Sequence, residues 1–492
     1  MHRMLADSQT VAGVTLPTTD WMLIVISLVI FFLVIAVNGY ILVYFQHPED
    51  KNTAWIPKLV VWGGLCLASY GVLLLPLDVA NRQSLQQFNQ QIPIDTLWQI
   101  LLMAIVIYIL FVYPFATFYY EESDAGIGGQ LKSGLTYGFV TLIIGSVLIY
   151  ILYAAVGWAD IPVAAYIARI GYMSCSEKDM CSAATMELLS IKVTLPIYAV
   201  GVIAVLGWGF FSVFCGVGLV ALPIDMVNSW RWRPKSGTVK MWAIKKQELR
   251  ERAERLRSIG NQLGTGYDEG NKMTRADKKM FNKFKQAVFF LERDYEELRI
   301  AYDEKGGNVL WYFFLGCFGS IGVVVSLLWV MQMVGFIFLN GLYPFLNNVL
   351  ISLDGVFPLF GTATYGFLAY YLMMCTIKGT FKLGCRIAIF PIHPMKVNGT
   401  MMNSFLFNVM LVLLCTIPNI QFCTEAFSIY ARVTAVDLLF GTQIKYLRYL
   451  SFIWSNNIFL YVMFVFVALT SIYLCLKGPK DKPYDPSEIG GR

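Results

Sequence analysis

The sequence predicts an all-α polytopic membrane protein with about nine transmembrane helices and a cytosolic antiparallel helical hairpin between the fifth and sixth of them. Of its 492 residues, 57% are hydrophobic and only 14% are charged, and the mean hydropathy is +0.59. Soluble domains carry about 25% charged residues and a smaller apolar share. The composition therefore fits a lipid bilayer as the solvent, and we expect no nucleic-acid partner.

Nine apolar runs are each long enough to cross about 30 Å of hydrocarbon, which takes about 20 helical residues. They are Trp21 to Phe45, Leu59 to Leu77, Thr96 to Tyr120, Ser133 to Ala159, Val193 to Ile224, Val309 to Val334, Gly355 to Ile377, Val397 to Thr424 and Tyr449 to Leu476. Glycine, asparagine and proline residues follow the sixth run and predict a loop or re-entrant segment. The first run is too long for a signal-peptide core, so we expect a retained anchor.

A charged insertion separates the fifth and sixth runs. Residues 231–308 contain 19 Lys plus Arg and 12 Asp plus Glu, and basic residues next to spans favour the cytosolic side. This predicts an outer N-terminus and a cytosolic C-terminus. The expected domains are a five-span region (1–230), the hairpin (231–308), a four-span region (309–476) and a cytosolic tail (477–492). The basic residues at 231, 233, 235 and 240 would also attract anionic lipid headgroups.

Heptad patterns predict how the insertion folds. Apolar residues alternate at steps of three and four, the spacing of a coiled-coil seam; they are Phe281, Phe284, Val288, Leu291, Tyr295, Leu298 and Tyr302. An earlier series repeats every seven residues, and it comprises Trp242, Leu249, Leu256 and Leu263. The glycine-rich sequence between the two series cannot continue a helix. We therefore expect an antiparallel hairpin that either packs on itself or also presents a surface to a cytosolic protein.

The ten cysteines show no spacing that is typical of a metal or redox site. We accordingly predict no metal and no cofactor. Cys175 and Cys181 lie close together in a loop that the topology places outside, where disulfides form. They are the candidate disulfide, with Cys423 in another loop as the alternative partner.

A seven-residue pattern occurs twice. Leu-Pro-Leu-Asp-Val-Ala-Asn ends at Asn81 and Leu-Pro-Ile-Asp-Met-Val-Asn ends at Asn228, and both follow a spanning run. The odd number of crossings between Asp78 and Asp225 would place them on opposite faces, as in the inverted repeats of transporters. Simple helix termination by proline and an interfacial acid is the alternative interpretation.

Little catalytic chemistry is visible. The sequence contains no nucleophile motif, phosphate-binding glycine loop or paired catalytic carboxylates, so we do not expect an enzyme. The candidate functional acids are Asp78, Asp225, Glu121 and Glu122, all predicted at helix ends. The polar residues inside spans are Asn38, Gln332 and Asn408, and they are expected to form hydrogen bonds between helices.

Several segments resemble one known family. LPLDVANR after the second run, FVYPFATFYYEESD at the third, ALPIDMVN at the fifth and the basic hairpin before four last runs together resemble the LMBR-type (limb-region-like) membrane proteins, which include a lipocalin receptor and a lysosomal cobalamin transporter. The pattern is most similar to the cobalamin-transporter branch. The chain departs from that branch in its short tail and in lacking an outer glycosylation sequon.

The resemblance implies a membrane transporter or transport-associated receptor for a small organic solute such as cobalamin. The expected location is a lysosomal, endosomal or plasma membrane. The alternative is a non-transporting receptor or signalling scaffold that binds a lipocalin-like ligand or a cytosolic partner. A continuous polar cavity would favour transport, whereas a solidly packed bundle would favour a scaffold.

Overall fold

A computed structural model of the chain describes residues 10–11, 14–15, 18–47, 50–51, 53–122, 126–162, 188–233, 239–265, 275–302, 308–339, 341–357, 359–383 and 400–476. The helices are α1 (Trp21–Phe45), α2 (Trp55–Phe88), α3 (Ile94–Glu121), α4 (Gly126–Val156), α5 (Leu195–Arg231), α6 (Val239–Thr265), α7 (Arg275–Tyr302), α8 (Val309–Phe338), α9 (Phe345–Val356), α10 (Phe360–Leu383), α11 (Met402–Ala426), α12 (Ala435–Ile444), α13 (Ser451–Ser455) and α14 (Ile458–Leu476). Short strands pair as β1 (Thr10–Val11) with β2 (Val14–Thr15), β3 (Thr18–Thr19) with β4 (Gln90–Gln91), and β5 (Trp158–Pro162) with β6 (Leu188–Lys192).

Eight of these helices are long and apolar enough to cross a membrane, and the predicted all-α polytopic fold is confirmed. A ninth helix, α10, occupies the predicted seventh span and is 24 residues long. It is less apolar because it contains Lys378, Lys382 and several glycine and threonine residues. Many of its residues are buried against protein. Small and polar residues are common where a membrane helix faces other helices instead of lipid.

The prolines of the repeated pattern lie inside helices. Pro76 is internal to α2 and Pro223 is internal to α5, so helix termination is the wrong interpretation and Asp78 and Asp225 do not lie at helix ends. Proline removes one helical N–H donor and frees the carbonyl four residues earlier. At Pro223 that carbonyl belongs to Leu219, and it accepts a hydrogen bond from Ser326 Oγ at 2.6 Å. A neighbouring helix thus satisfies the freed group.

Two further expectations were wrong near the C-terminal end. Cys423 was placed in a loop, but it is a buried residue of α11 with a free thiol. The predicted span from Tyr449 begins as a helix only at Ile458. The residues before it form α13 and a turn, and Tyr449 and Asn457 adopt left-handed backbone conformations with φ of 66° and 51°. Left-handed residues interrupt a regular helix.

The chain divides into two compact units, Met1–Leu222 with Val324–Ser471, and Pro223–Val323 with Ile472–Arg492. In the first unit α11 is the central helix, and 89% of its apolar stretch is buried. Glycines allow the helices of this unit to approach one another closely. A Cβ at Gly71 of α2 would lie 2.8 Å from Thr416, and one at Gly218 of α5 would overlap the Cys375 carbonyl of α10.

The second unit contains the hairpin of α6 and α7, which is antiparallel as predicted. The Trp242 ring stacks on Tyr302 with centroids 4.6 Å apart, whereas Gly260 lies against Phe284 at the other end. Leu256 is buried in a cluster with Phe284 and Leu291, which belong to the predicted coiled-coil seam of the second helix. The hairpin is therefore held by apolar contacts along its length.

Candidate functional site

The most polar buried region of the first unit surrounds the part of α2 that follows Pro76. Five of the eight residues at positions 77–84 are polar, and they are Asp78, Asn81, Arg82, Gln83 and Ser84. Asn81 Oδ1 accepts a hydrogen bond from the Ile92 amide at 2.7 Å, and Ser84 Oγ donates to Asp20. Because the helix continues past the proline, these side chains project into the protein instead of into a loop.

Asp78 is only 1% exposed and holds the beginning of α12. Its Oδ2 accepts hydrogen bonds from the Trp98 indole at 2.9 Å and from the Val436 amide at 2.9 Å. Its Oδ1 accepts one from the Ala435 amide at 3.2 Å. Free N–H groups and the helix dipole make a helix N-terminus favourable for an anion. Three donors thus compensate a carboxylate that is buried in the membrane-spanning bundle.

A second acid and an arginine belong to the same region. Asp437 is fully buried, and its Oδ2 accepts a hydrogen bond from the Val433 amide at 3.1 Å. Arg82 lies one turn after Asp78 and interacts electrostatically with Asp437, Arg432 and Asp78. The buried Arg82 Nε atom has no hydrogen-bond partner among the described residues. Intramembrane charges are costly and mark functional sites.

Asp354 links α9, α10 and the segment before α12. Its Oδ1 accepts a hydrogen bond from the Gly361 amide at 2.8 Å, which caps the first turn of α10. Its Oδ2 accepts from Tyr430 at 2.6 Å and from Gln83 at 2.9 Å. Burial raises the pKa of the Tyr430 hydroxyl, and the Asp354 carboxylate acts in the same direction. Tyr430 is therefore a stable hydrogen-bond donor at neutral pH.

Asn347 completes this network. Its Oδ1 accepts a hydrogen bond from the Tyr430 amide at 3.1 Å, and its Nδ2 donates to the Ala426 carbonyl at 3.2 Å. The same carbonyl accepts from Gln332 at 2.6 Å, so Gln332 links helices as the sequence suggested. We call the set Asp78, Arg82, Asn347, Asp354, Tyr430 and Asp437 the polar layer.

The other candidate acids are not members of the polar layer. Glu121 ends α3, about 40 Å of helix from the α3 end that contains Trp98, and its Oε1 accepts a hydrogen bond from Asn403 at 3.5 Å. Glu122 is exposed just beyond it. Asp225 belongs to the second compact unit and is half-buried. Cys175 and Cys181 lie outside the described residues, so their disulfide stays a prediction.

A further buried aspartate, Asp50, lies at the Glu121 end of α3. Its Oδ2 accepts a hydrogen bond from the Met402 amide at 3.0 Å, and its Oδ1 accepts from the Tyr120 hydroxyl at 3.0 Å. It caps α11 as Asp78 caps α12. Asp50, Arg82, Asp354 and Asp437 are not among the candidates that the sequence patterns indicate. The available signal was that Asp50, Arg82 and Asp354 are charged residues close to the ends of apolar runs. Asp437 lies in the sequence between two runs and gave no such signal.

A small cavity lies in the first unit beside the π-helical turn that ends α12. Its volume is about 10 Å³, and it is lined by Gln421, Thr424, Glu425, Phe440, Gly441, Lys445 and Trp454. Lys445 and Glu425 form an ion pair of 2.6 Å at this site. The space accommodates about one water molecule. Any larger solute would require α12 to move.

A family model and several relatives matched over nearly their full length indicate one family. A family model described as LMBR1-like membrane protein matches residues 23–302. A LIMR family protein of Dictyostelium discoideum is 34% identical over 94% of this chain and 98% of its own length. LIMR family proteins of Oryza sativa subsp. japonica and Arabidopsis thaliana are 33% and 32% identical, each over 94% of this chain and 97% of its own length. No solved structure matches the chain.

Proposed function

We propose that this chain, which belongs to the LMBR1-like membrane protein family, is a multi-pass membrane transport protein for a small polar organic solute. The polar layer would form one gate of the pathway. The observation that carries the proposal is the buried carboxylate of Asp78, which holds the first turn of the short helix α12. No enzymatic step is part of the proposal.

Discontinuous helices support this function. α9 and α12 are apolar but too short to cross a bilayer. Asp354 of α9 accepts hydrogen bonds from the Gln83 side chain of α2 and from a backbone amide of α10, and the first amides of α12 donate to Asp78 of α2. In transporters, short or broken helices with buried polar termini mark the solute site. Because a backbone of this kind is tolerated at membrane depth only inside protein or beside a cavity, the polar layer is the natural point of opening.

We infer the class of solute from the polar side chains of the proposed gate and from the family resemblance. Opening would expose Arg82, Asp437 and Asp354 together, which suits a solute that carries several hydrogen-bonding groups. Cobalamin is one such solute, and the family resemblance implies it. We place the protein in an endolysosomal or plasma membrane with its N-terminus outside and its C-terminus in the cytosol, as the charge distribution predicts.

A non-transporting receptor or scaffold is the second candidate, and the packing favours it. The cavity beside Lys445 has room for about one water molecule, whereas a groove of about 500 Å³ runs along α6 on the hairpin. In this alternative the hairpin binds a cytosolic protein and the bundle is a rigid anchor. The two functions differ in whether a solute crosses the membrane.

Uptake into vesicles that contain the purified protein distinguishes them. The solutes are a panel of labelled polar compounds that includes cobalamin, and the variants are Asp78→Asn and the matched control Asp95→Asn. Asp95 lies in the first turn of α3, near Asp78, but is exposed. We expect uptake by the wild type, at least a tenfold loss in Asp78→Asn and normal uptake in Asp95→Asn. Equal uptake in both variants would contradict the gate, and binding without uptake would favour the receptor.

A further inference from the structure

We propose that the junction between α5 and α6 binds the headgroup of an anionic phospholipid. From residue 226 to residue 247 the sequence has no acidic residue, three tryptophans and six basic residues. Lys235 lies outside the described residues, and the proposed site comprises the other five, which are Arg231, Arg233, Lys240, Lys245 and Lys246. Arg231 is the last residue of the membrane-spanning helix α5. A cluster of four to eight basic residues directly beside a span is the usual signature of anionic lipid binding.

Aromatic rings hold the basic side chains of this junction. The Arg233 guanidinium carbon lies 4.2 Å from the Trp230 ring centroid, and the Lys246 ammonium lies 4.2 Å from that of Trp242. Arg231 lies 5.7 Å from the Trp232 ring. Each distance is within the range of a cation–π contact. Such contacts position a positive charge without neutralising it, so the side chain can still attract an anion.

Further along the same helix, three of the four basic residues are neutralised by ion pairs. Arg250 pairs with Glu254 at 3.0 Å, Arg252 with Glu248 at 2.5 Å and Arg255 with Glu251 at 3.9 Å. In the part of the chain that the structure describes, no such ion pair involves the basic residues of the junction, which are Arg231, Arg233, Lys240, Lys245 and Lys246. Unpaired basic residues are therefore concentrated at the end of the hairpin that adjoins the membrane, whereas most of those further along α6 have an acidic partner.

The groove along α6 begins at this end. Trp242, Lys246 and Arg250 line its first two turns, and Glu251 and Glu254 line the rest. A phosphate-bearing headgroup complements the basic part of the groove, and the acidic part repels it. The Trp232 and Ile244 side chains are exposed, and tryptophan is enriched at membrane interfaces, where its amphipathic ring suits the headgroup level. Continuity with a span makes a lipid the occupant that this geometry favours.

Binding can be measured on the purified full-length protein in zwitterionic micelles by titration with short-chain phosphatidylserine. The test variant carries Lys240→Gln, Lys245→Gln and Lys246→Gln. The matched control carries Arg252→Gln, Arg255→Gln and Arg257→Gln, which removes the same charge from a part of α6 that does not line the groove. Each removed charge should lower the affinity for the lipid roughly fivefold, so the test variant should bind on the order of 100-fold more weakly than the wild type. The affinity of the control should stay within about fivefold of the wild-type affinity.

Three results would overturn the proposal. They are unchanged affinity in the test variant, equal loss in both variants, and equally tight binding of a soluble inositol phosphate, which would indicate a free anion as the ligand. Circular dichroism of both variants verifies that the hairpin remains folded, and the substituted lysines are exposed. The titration needs no transported solute, so its outcome is independent of the uptake experiment.

Discussion

Replacing Asp78 with asparagine tests whether one buried carboxylate holds α12 in place. The carboxylate accepts hydrogen bonds from Trp98, Ala435 and Val436. Asparagine has nearly the same shape but only one acceptor oxygen, and its amide N–H groups would face one of these donors. At least one buried N–H group is then left without an acceptor, and the remaining hydrogen bonds have a neutral acceptor in place of a charged one.

The free-energy change in Asp78→Asn can be estimated from the hydrogen bonds that are lost or weakened. A buried donor without a partner costs about 1–3 kcal/mol, and a bond to a charged acceptor is stronger than a neutral one by about 1 kcal/mol. The neutral side chain is easier to bury, which offsets part of the loss. We therefore expect the first turn of α12 to open more easily by about 2 kcal/mol, which corresponds to roughly a 30-fold larger open population.

Amide hydrogen exchange of the purified protein measures this opening directly. In Asp78→Asn the amides of Ala435 and Val436 should exchange roughly 30-fold faster than in the wild type, while those in the middle of α11 stay protected. Asp95→Asn, which removes an exposed acid nearby, should leave the exchange of α12 within about twofold. Unchanged exchange at Ala435 in Asp78→Asn, or the same change in both variants, would refute the capping argument.

Three other outcomes follow from the packing and the surface charges. Gly218→Ala should lower the free energy of unfolding by about 3 kcal/mol, because its Cβ overlaps a backbone carbonyl; Gly209→Ala, which meets nothing within 4 Å, should retain the wild-type melting temperature. Leu291→Asp should loosen the hairpin by about 2 kcal/mol and speed proteolysis there, and resistance equal to that of the wild type would contradict the seam. Hydrogen bonds from Arg448 and Ser190 lower the pKa of Asp160. The ion pair between Asp160 and Arg448 therefore stabilises the fold at any pH above the ordinary pKa of an aspartate, and it is lost only as the pH falls below that value. The hydrogen-exchange protection of the Arg448 amide should consequently be the same at pH 7 and pH 5, after correction for intrinsic exchange.

The apolar runs could be predicted because lipid constrains composition locally. The first run, Trp21 to Phe45, has the same bounds as α1, since a lipid-facing helix shows its limits wherever polar residues begin. The antiparallel hairpin was predictable for a similar reason. Its heptad pattern defines the contacting faces, and a glycine-rich segment separates the two helices, so no distant residue was needed to determine their pairing.

The polar layer was decided by tertiary structure. Asp78 was recognised as a candidate from a repeated pattern, yet its burial depends on Val436, which lies 358 positions away in the sequence. Pro76 does not end α2, and its ring packs against Gly366 of α10, where a Cβ would be 3.0 Å away. The local pattern of apolar and polar residues indicates where a chain enters the lipid bilayer. Which charged groups become buried depends on the donors that distant helices bring to them, because a carboxylate is stable inside a membrane protein only where such donors converge.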